Sequence, residues 1–258
     1  MCKSVIHLPN NPVHRMHSVT MFNPKPTIQL IPIAGHTPIV IIDDFLLHPD
    51  ALVAEACQAR DKFTNAPKNA FPGLELRMPE SFSSRLNDFF IQHISKLLGA
   101  RRSLSMFSRL SMITLAPDEL ARSQRICHQD QINESPQHCF AASVLYLFKN
   151  PELGGTSFYA PKIDQARIKQ LYINPSAWDE LPEQEATELF GTKPHYMTES
   201  NPYFELLGNV EAKWNRVIFY DGSIFHSGHI TKPELLSRDP AQGRLTINGF
   251  FTCRKALG

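Results

Sequence analysis

Near the middle of the chain, His128-Gln129-Asp130 puts an imidazole and a carboxylate two positions apart. In an extended segment, positions i and i+2 project from one face, so His128 and Asp130 can hold one ion together while Gln129 points away. The triplet alone is a short pattern in a chain with 11 histidines, and a structural or surface role suits it as well. A later run, Phe225-His226-Ser227-Gly228-His229, supplies two more imidazoles at the end of a β-rich stretch. Their odd separation puts them on opposite faces of a regular strand, so only one can join the first pair. His226 is the preferred ligand and His229 the alternative. Two imidazoles and one carboxylate leave about three positions open on an octahedral ferrous ion, room for a chelating keto acid and oxygen.

The final β-rich run, Arg244-Leu245-Thr246-Ile247-Asn248-Gly249-Phe250-Phe251, alternates in character. Arg244, Thr246 and Asn248 line one face, and Leu245 and Ile247 the other. An inward arginine is costly to bury unpaired, and its planar fork matches a carboxylate, with Thr246 a neighbouring hydroxyl donor. That carboxylate belongs either to a ligand or to an Asp or Glu of the chain. Cys127 faces away from His128 and is expected to pack beneath the sheet.

Residues so far apart need a framework of strands to bring them together. β-rich runs follow at Leu104 to Leu115, Phe140 to Phe148, Thr156 to Ala160, Arg216 to Tyr220, Ile224 to Ile230 and Arg244 to Cys253. Their short length and polar or Gly/Pro punctuation predict antiparallel sheets rather than βαβ units. Before them, Ile39-Val40-Ile41-Ile42 reads as a strand and the segment after Pro49 as a helix. A second helix carries Phe82, Leu86, Phe89, Phe90, Ile94, Leu97 and Leu98 at helical spacing, and Gly99 stops it. Residues 161 to 212 turn polar and helix-like, with Glu180, Glu183, Glu185 and Glu188 on a solvated face and Tyr172, Trp178, Phe190 and Tyr203 among them. This is a long insertion between strands, expected either to cover a site and select its substrate or to buttress the sheet from outside. Residues 1–36 read as an N-terminal arm and 37–258 as one domain.

Charge and composition narrow the partners. Lys and Arg number 26 against 25 Asp and Glu, which gives no argument for nucleic acid. The apolar runs are too short to cross a bilayer, and residues 1 to 20 lack a signal-like apolar core, so a soluble cytoplasmic protein is expected. The five cysteines are scattered and form no C-x-x-C pair, which argues against a disulfide framework or a zinc knuckle.

Together these segments resemble the prolyl-hydroxylase-like branch of the iron(II)- and 2-oxoglutarate-dependent oxygenases, and within it an uncharacterised bacterial domain family (DUF6445-like). The likeness runs from about Ile39 to Arg254. It rests on Asp43-Asp44-Phe45-Leu46, His128-x-Asp130, Val144-Leu145-Tyr146-Leu147, Gly154-Gly155-Thr156-Ser157-Phe158-Tyr159, Asn215 to Tyr220, His226-Ser227-Gly228 and Gly243-Arg244-Leu245-Thr246. It implies a mainly β fold with flanking helices (α+β), a double-stranded β-helix or cupin-like jelly roll with its site at the open end. It implies His128, Asp130 and His226 as iron ligands, Arg244 as partner of the far carboxylate of 2-oxoglutarate, and Tyr146 and Thr246 as assisting residues. The implied reaction uses Fe(II), 2-oxoglutarate and O2 to hydroxylate a small molecule, amino acid or peptide side chain, with succinate and CO2 as co-products. Asp130, where a halogenating enzyme would carry a small residue, favours hydroxylation. The 18 positions from His226 to Arg244 exceed the spacing of most relatives and keep His229 in play. A non-catalytic cupin-like metal- and ligand-binding module is the alternative, and it would have no need of Arg244.

Overall fold

The computed structural model describes residues 21–65, 71–130 and 135–256. Its strands are β1 (Ile28–Ile31), β2 (Ile39–Ile42), β3 (Thr64–Asn65), β4 (Gly73–Arg77), β5 (Ala100–Ile113), β6 (His138–Tyr146), β7 (Thr156–Pro161), β8 (Phe204–Val210), β9 (Val217–Asp221), β10 (Phe225–Gly228) and β11 (Arg244–Lys255). They form a large antiparallel sheet in the order β1-β2-β9-β6-β11-β5-β4-β3 and a small one in the order β10-β7-β8. A bridge between His128 and His226 adds the 128 segment to the edge of the small sheet. From β5 onward the chain passes from the large sheet to the 128 segment, back to β6, over to β7 and β8, back to β9, over to β10, and home to β11. That winding is a double-stranded β-helix whose second strand has shrunk to the bridge at His128.

Alternation along the strands sorts the side chains into layers. On one face of the large sheet, Leu110, Met112, Leu145, Phe219, Leu245, Ile247 and Phe251 are buried with α2 residues Phe82, Leu86 and Phe89. On the other face, Ile41, Val144, Tyr146, Ile218 and Tyr220 share a core with Phe158 and Val210 of the small sheet. The helices are α1 (Pro49–Gln58), α2 (Glu80–Phe89), α3 (Gln165–Ile173) and α4 (Glu183–Phe190). No described helix is long and apolar enough to cross a membrane.

The structure revises three expectations. The stripe from Phe82 to Leu98 is not one α-helix: α2 ends at Phe89, a π-helical turn spans Phe90–Ile94 and a 3-10 turn spans Ser95–Leu98 before Gly99 at φ +67°. The wider turn lets two consecutive aromatics both face inward, Phe89 packed edge-on against Phe45 and Phe90 stacked on Phe251 at 4.1 Å. The insertion expected over 161 to 212 ends before Phe204, because 204–210 is a strand of the small sheet. Only Phe204 and Val210 of β8 are fully buried, which disguised the strand as polar linker. Third, the expected arm at 1–36 includes Phe22, which is buried, and β1, which pairs with β2 at the sheet edge; its residues 1–20 lie outside those described.

The insertion carries α3 and α4 and packs on the outer face of the small sheet. Leu171, Trp178, Leu189 and Phe190 bury against Tyr159, Phe204 and Phe225. Cys127 is sealed in the same core, as its side-chain direction predicted.

Candidate metal centre

Strand pairing assembles the centre from distant segments. The amide of His128 donates to the His226 carbonyl at 2.9 Å, and that of His226 returns the bond to His128 at 2.8 Å. Asp130 is anchored by its own amide, which donates to Gly222 O at 3.1 Å. His226 pairs across β7 with Phe158, an inner-core residue, so its ring faces between the sheets. As a result one ligand atom from each of His128, Asp130 and His226 lies within 4.8 Å of the others. His226 Nε2 stands 3.5 Å from Asp130 Oδ2, and His128 Nε2 stands 4.0 Å from Oδ1.

Hydrogen bonds and local charge prepare these groups as ligands. With Nδ1 of His226 donating to Ile224 O at 2.9 Å, its Nε2 is the ring nitrogen that faces Asp130. Desolvation in the cavity, reinforced by His226, pushes His128 down to about 4, which leaves a neutral, metal-ready imidazole. Burial would raise Asp130, but the charge and hydrogen bond of His226, with His128 and the Tyr220 hydroxyl 3.4 Å away, hold it below the usual carboxylate range. Burial likewise works against a charged His226, and Asp130 outweighs it. Two imidazole nitrogens and one carboxylate oxygen on one side of an open cavity fit a divalent iron and leave room for other ligands.

The structure sets His229 apart from this cluster: its Nδ1 is 2.9 Å from Ser157 Oγ. Arg244 is 4% exposed and forms no ion pair among the described residues. Its Nε donates to Gly154 O at 3.0 Å and its Nη2 to Gly155 O at 2.7 Å, and the guanidinium lies 5.9 and 5.7 Å from the ring centres of Tyr146 and Phe148. Both carbonyls come from positions that exclude a side chain. A Cβ at Gly154, where φ is +87°, would lie 2.0 Å from His229 O, and one at Gly155 would lie 1.9 Å from Val210 O.

A cavity of about 600 Å³ joins His128, Asp130 and His226 to Arg244 between the sheets. Tyr146 and Thr246 are buried behind its wall. The Tyr146 hydroxyl is 2.8 Å from Thr156 Oγ1, and Thr246 Oγ1 donates to Ser111 O at 3.3 Å. Thr156 and Tyr220 line the cavity instead, and neither was singled out from the sequence for a role. For Tyr220 a signal existed, since alternation along β9 puts it on the same face as Ile218. From the insertion, Tyr172 and Trp178 line the cavity, and the Tyr172 hydroxyl donates to Cys127 O, directly before His128.

A family model described as "Family of unknown function (DUF6445)" matches residues 24–251. No curated protein matches the chain. Among solved structures it is similar to a prolyl-4-hydroxylase from Pseudomonas putida, at 14% identity over 86% of this chain and 95% of that one, with a TM-score of 0.44. It is also similar to the non-heme alpha ketoglutarate dependent epimerase SnoN from nogalamycin biosynthesis, at 10% identity over 84% and 80%, TM-score 0.39. HygX from Streptomyces hygroscopicus, with nickel and 2-oxoglutarate bound, is similar at 10% identity over 84% and 82%, TM-score 0.43.

Proposed function

We propose a function for this chain on the premise that it belongs to DUF6445, a family of unknown function: it is an iron(II)- and 2-oxoglutarate-dependent oxygenase that hydroxylates a small organic substrate. His128, Asp130 and His226 hold the iron, and Arg244 binds the far carboxylate of 2-oxoglutarate. Bound iron supplies the activation of O2 that is coupled to oxidation of 2-oxoglutarate to succinate and CO2. The protein does the rest by position. The Gly154 and Gly155 carbonyls aim the guanidinium, Tyr220 steadies Asp130, and the Nδ1 bond of His226 fixes the ligating tautomer. Tyr172 and Trp178 of the insertion add aromatic surface to the cavity lining.

The observation that carries this reading is Arg244. It is a buried guanidinium whose neighbours among the described residues are carbonyls and rings, facing the same cavity as His128, Asp130 and His226. A buried charge without a counter-charge is costly unless a ligand supplies one. A metal-storing cupin-like module would not need it.

The test is anaerobic titration of the protein with ferrous ion and then 2-oxoglutarate, following the weak visible band of the iron–keto acid chelate. The band is expected with the native chain and not with Asp130→Ala. Its absence from the native chain, with iron bound, would refute the oxygenase reading.

A further inference from the structure

The sequence scatters its cysteines, and the fold brings two of them face to face. Cys139 stands at the start of β6 and Cys253 near the end of β11, and they are direct partners in the ladder that joins those strands. Both side chains belong to the α2 side of the large sheet, where Cys253 is sealed in the core and Cys139 packs against it half-buried. The two thiols hydrogen-bond to each other. Cys57 and Cys127 lie elsewhere, on α1 and in the core beneath the insertion.

Facing positions of an antiparallel ladder hold their Cα atoms roughly 4.5–5.5 Å apart, inside the ~4.4–6.8 Å that a disulfide spans. The backbone therefore already meets the first requirement of a cross-strand bond. On its other side Cys253 is held less regularly: the pairing of β11 with β5 shifts register between Thr252 and Cys253 and again between Arg254 and Lys255, where β5 carries an extra residue each time. Bulges disrupt a ladder locally, so this end of β11 has room to adjust while two sulfurs close on each other.

The surroundings give the two thiols different roles. The hydrogen bond from Cys253, aided by Lys255 and opposed by burial and Asp221, holds the Cys139 thiol below its ordinary value. The same contact, with burial, pushes Cys253 up. Thiolate is the attacking species in disulfide exchange. Cys139 is thus the thiol that ionises more readily and the one less covered, with Cys253 directly behind it.

We propose that Cys139 and Cys253 form a reversible redox pair that closes to a disulfide between β6 and β11 on reaction with a small-molecule disulfide. The Cys139 thiolate attacks one sulfur of the reagent, a protein–reagent S–S bond forms, the reagent's own S–S bond breaks, and one thiolate leaves. Cys253 gives its proton to that thiolate and attacks the Cys139 sulfur, which expels the second thiolate; this takes up the proton that Cys139 had released. Two protein thiols are oxidised to one disulfide and one reagent disulfide is reduced to two thiols. An added dithiol runs the exchange backward. The pair lies on the sheet face opposite the cavity, so this inference stands apart from the oxygenase reading.

The experiment equilibrates the full chain under anaerobic conditions in buffers of reduced and oxidised glutathione, quenches with acid, alkylates the remaining thiols and maps linked peptides by mass spectrometry. One bond, Cys139 to Cys253, is expected to grow in as the buffer becomes more oxidising and to vanish with dithiothreitol, while Cys127 remains a thiol. Cys253→Ser is expected to stop at a mixed disulfide of Cys139 with glutathione. Cys139→Ser, at a half-buried position, is expected to slow glutathione uptake by Cys253 about tenfold or more. Should Cys253→Ser fail to fold, the native chain and Cys139→Ser still decide the matter. The pair would be overturned by no bond at any glutathione ratio, by a bond of either cysteine to a different cysteine or to a second copy, or by a bond that forms only in urea. Packing alone would be served by any two small apolar side chains and would give no such titration.

Discussion

Arg216 and Arg244 are both drawn into the protein, one just before β9 and the other at the start of β11, and the chain provides for them differently. Around Arg216 the partners come from the chain itself. Its Nε and Nη2 meet the two oxygens of Asp43 at 2.6 and 3.2 Å, Lys213 adds a third contact at 2.8 Å, and the neighbouring Asn215 side chain both accepts from and donates to the Leu46 backbone at 2.9 Å. Around Arg244 the groups present are carbonyls and aromatic faces. The first region is a clasp joining the segment after β2 to β9, with its guanidinium paired to a carboxylate of the chain. The second is buried more deeply, and no carboxylate of the described residues stands beside it. On the proposed reading, two arginines in one fold separate a structural use from a binding use by the presence or absence of a carboxylate beside them among the described residues.

Substitution turns that contrast into numbers. Arg244→Ala is expected to cost about 2–5 kcal/mol in 2-oxoglutarate affinity, or ~30- to 4,000-fold, the usual loss when one partner of a buried charge pair is truncated. Titration of the iron-loaded protein measures it, and unaltered affinity would erase the distinction between the two arginines. Arg216→Ala is expected to do the reverse. A charged hydrogen-bonded pair contributes about 1.5–3 kcal/mol when buried, and partial exposure here brings the stability loss nearer ~1 kcal/mol, read by urea unfolding while 2-oxoglutarate still binds.

Acid sharpens the comparison further. The Arg216 hydrogen bond, opposed by burial and aided by Lys213, holds Asp43 below its ordinary value. A carboxyl depressed on folding stabilises above its unfolded pKa, near ~3.9, and that stability is lost as pH falls through the folded value. The gap in unfolding free energy between the native chain and Arg216→Ala is therefore expected to be full at pH 6 and to close below about pH 4. Lys213→Ala gives the smallest effect, within ~0.5 kcal/mol, because its side chain is 55% exposed. A larger value would mean that the clasp works as a cooperative network.

Much of this was legible in the sequence, and the illegible parts share a cause. β6 announces itself by a continuous apolar run and β11 by polar–apolar alternation, and the same-face rule correctly set Cys127 against His128 and Leu245 against Arg244. Geometry beyond one strand was hidden. That His128 hydrogen-bonds to His226, and not to a residue nearer in sequence, depends on winding between two sheets. Glu75 and Arg109 meet because β4 pairs with β5, and β4 gave no sequence signal because its five residues mix Gly, Glu and Arg with two leucines. β8 was masked by the solvent on one side of it, and the π-helical turn after Phe89 follows from a packing demand that helical spacing does not encode.

The carbonyls that aim Arg244 are main-chain atoms, held where glycine alone fits. Orientation that rests on the backbone cannot be edited residue by residue in the way a side-chain partner can. Mutational drift around the pocket therefore has few routes to re-aim this guanidinium, and changing what it faces would have to begin by replacing Arg244 itself, since its bearings come with the fold.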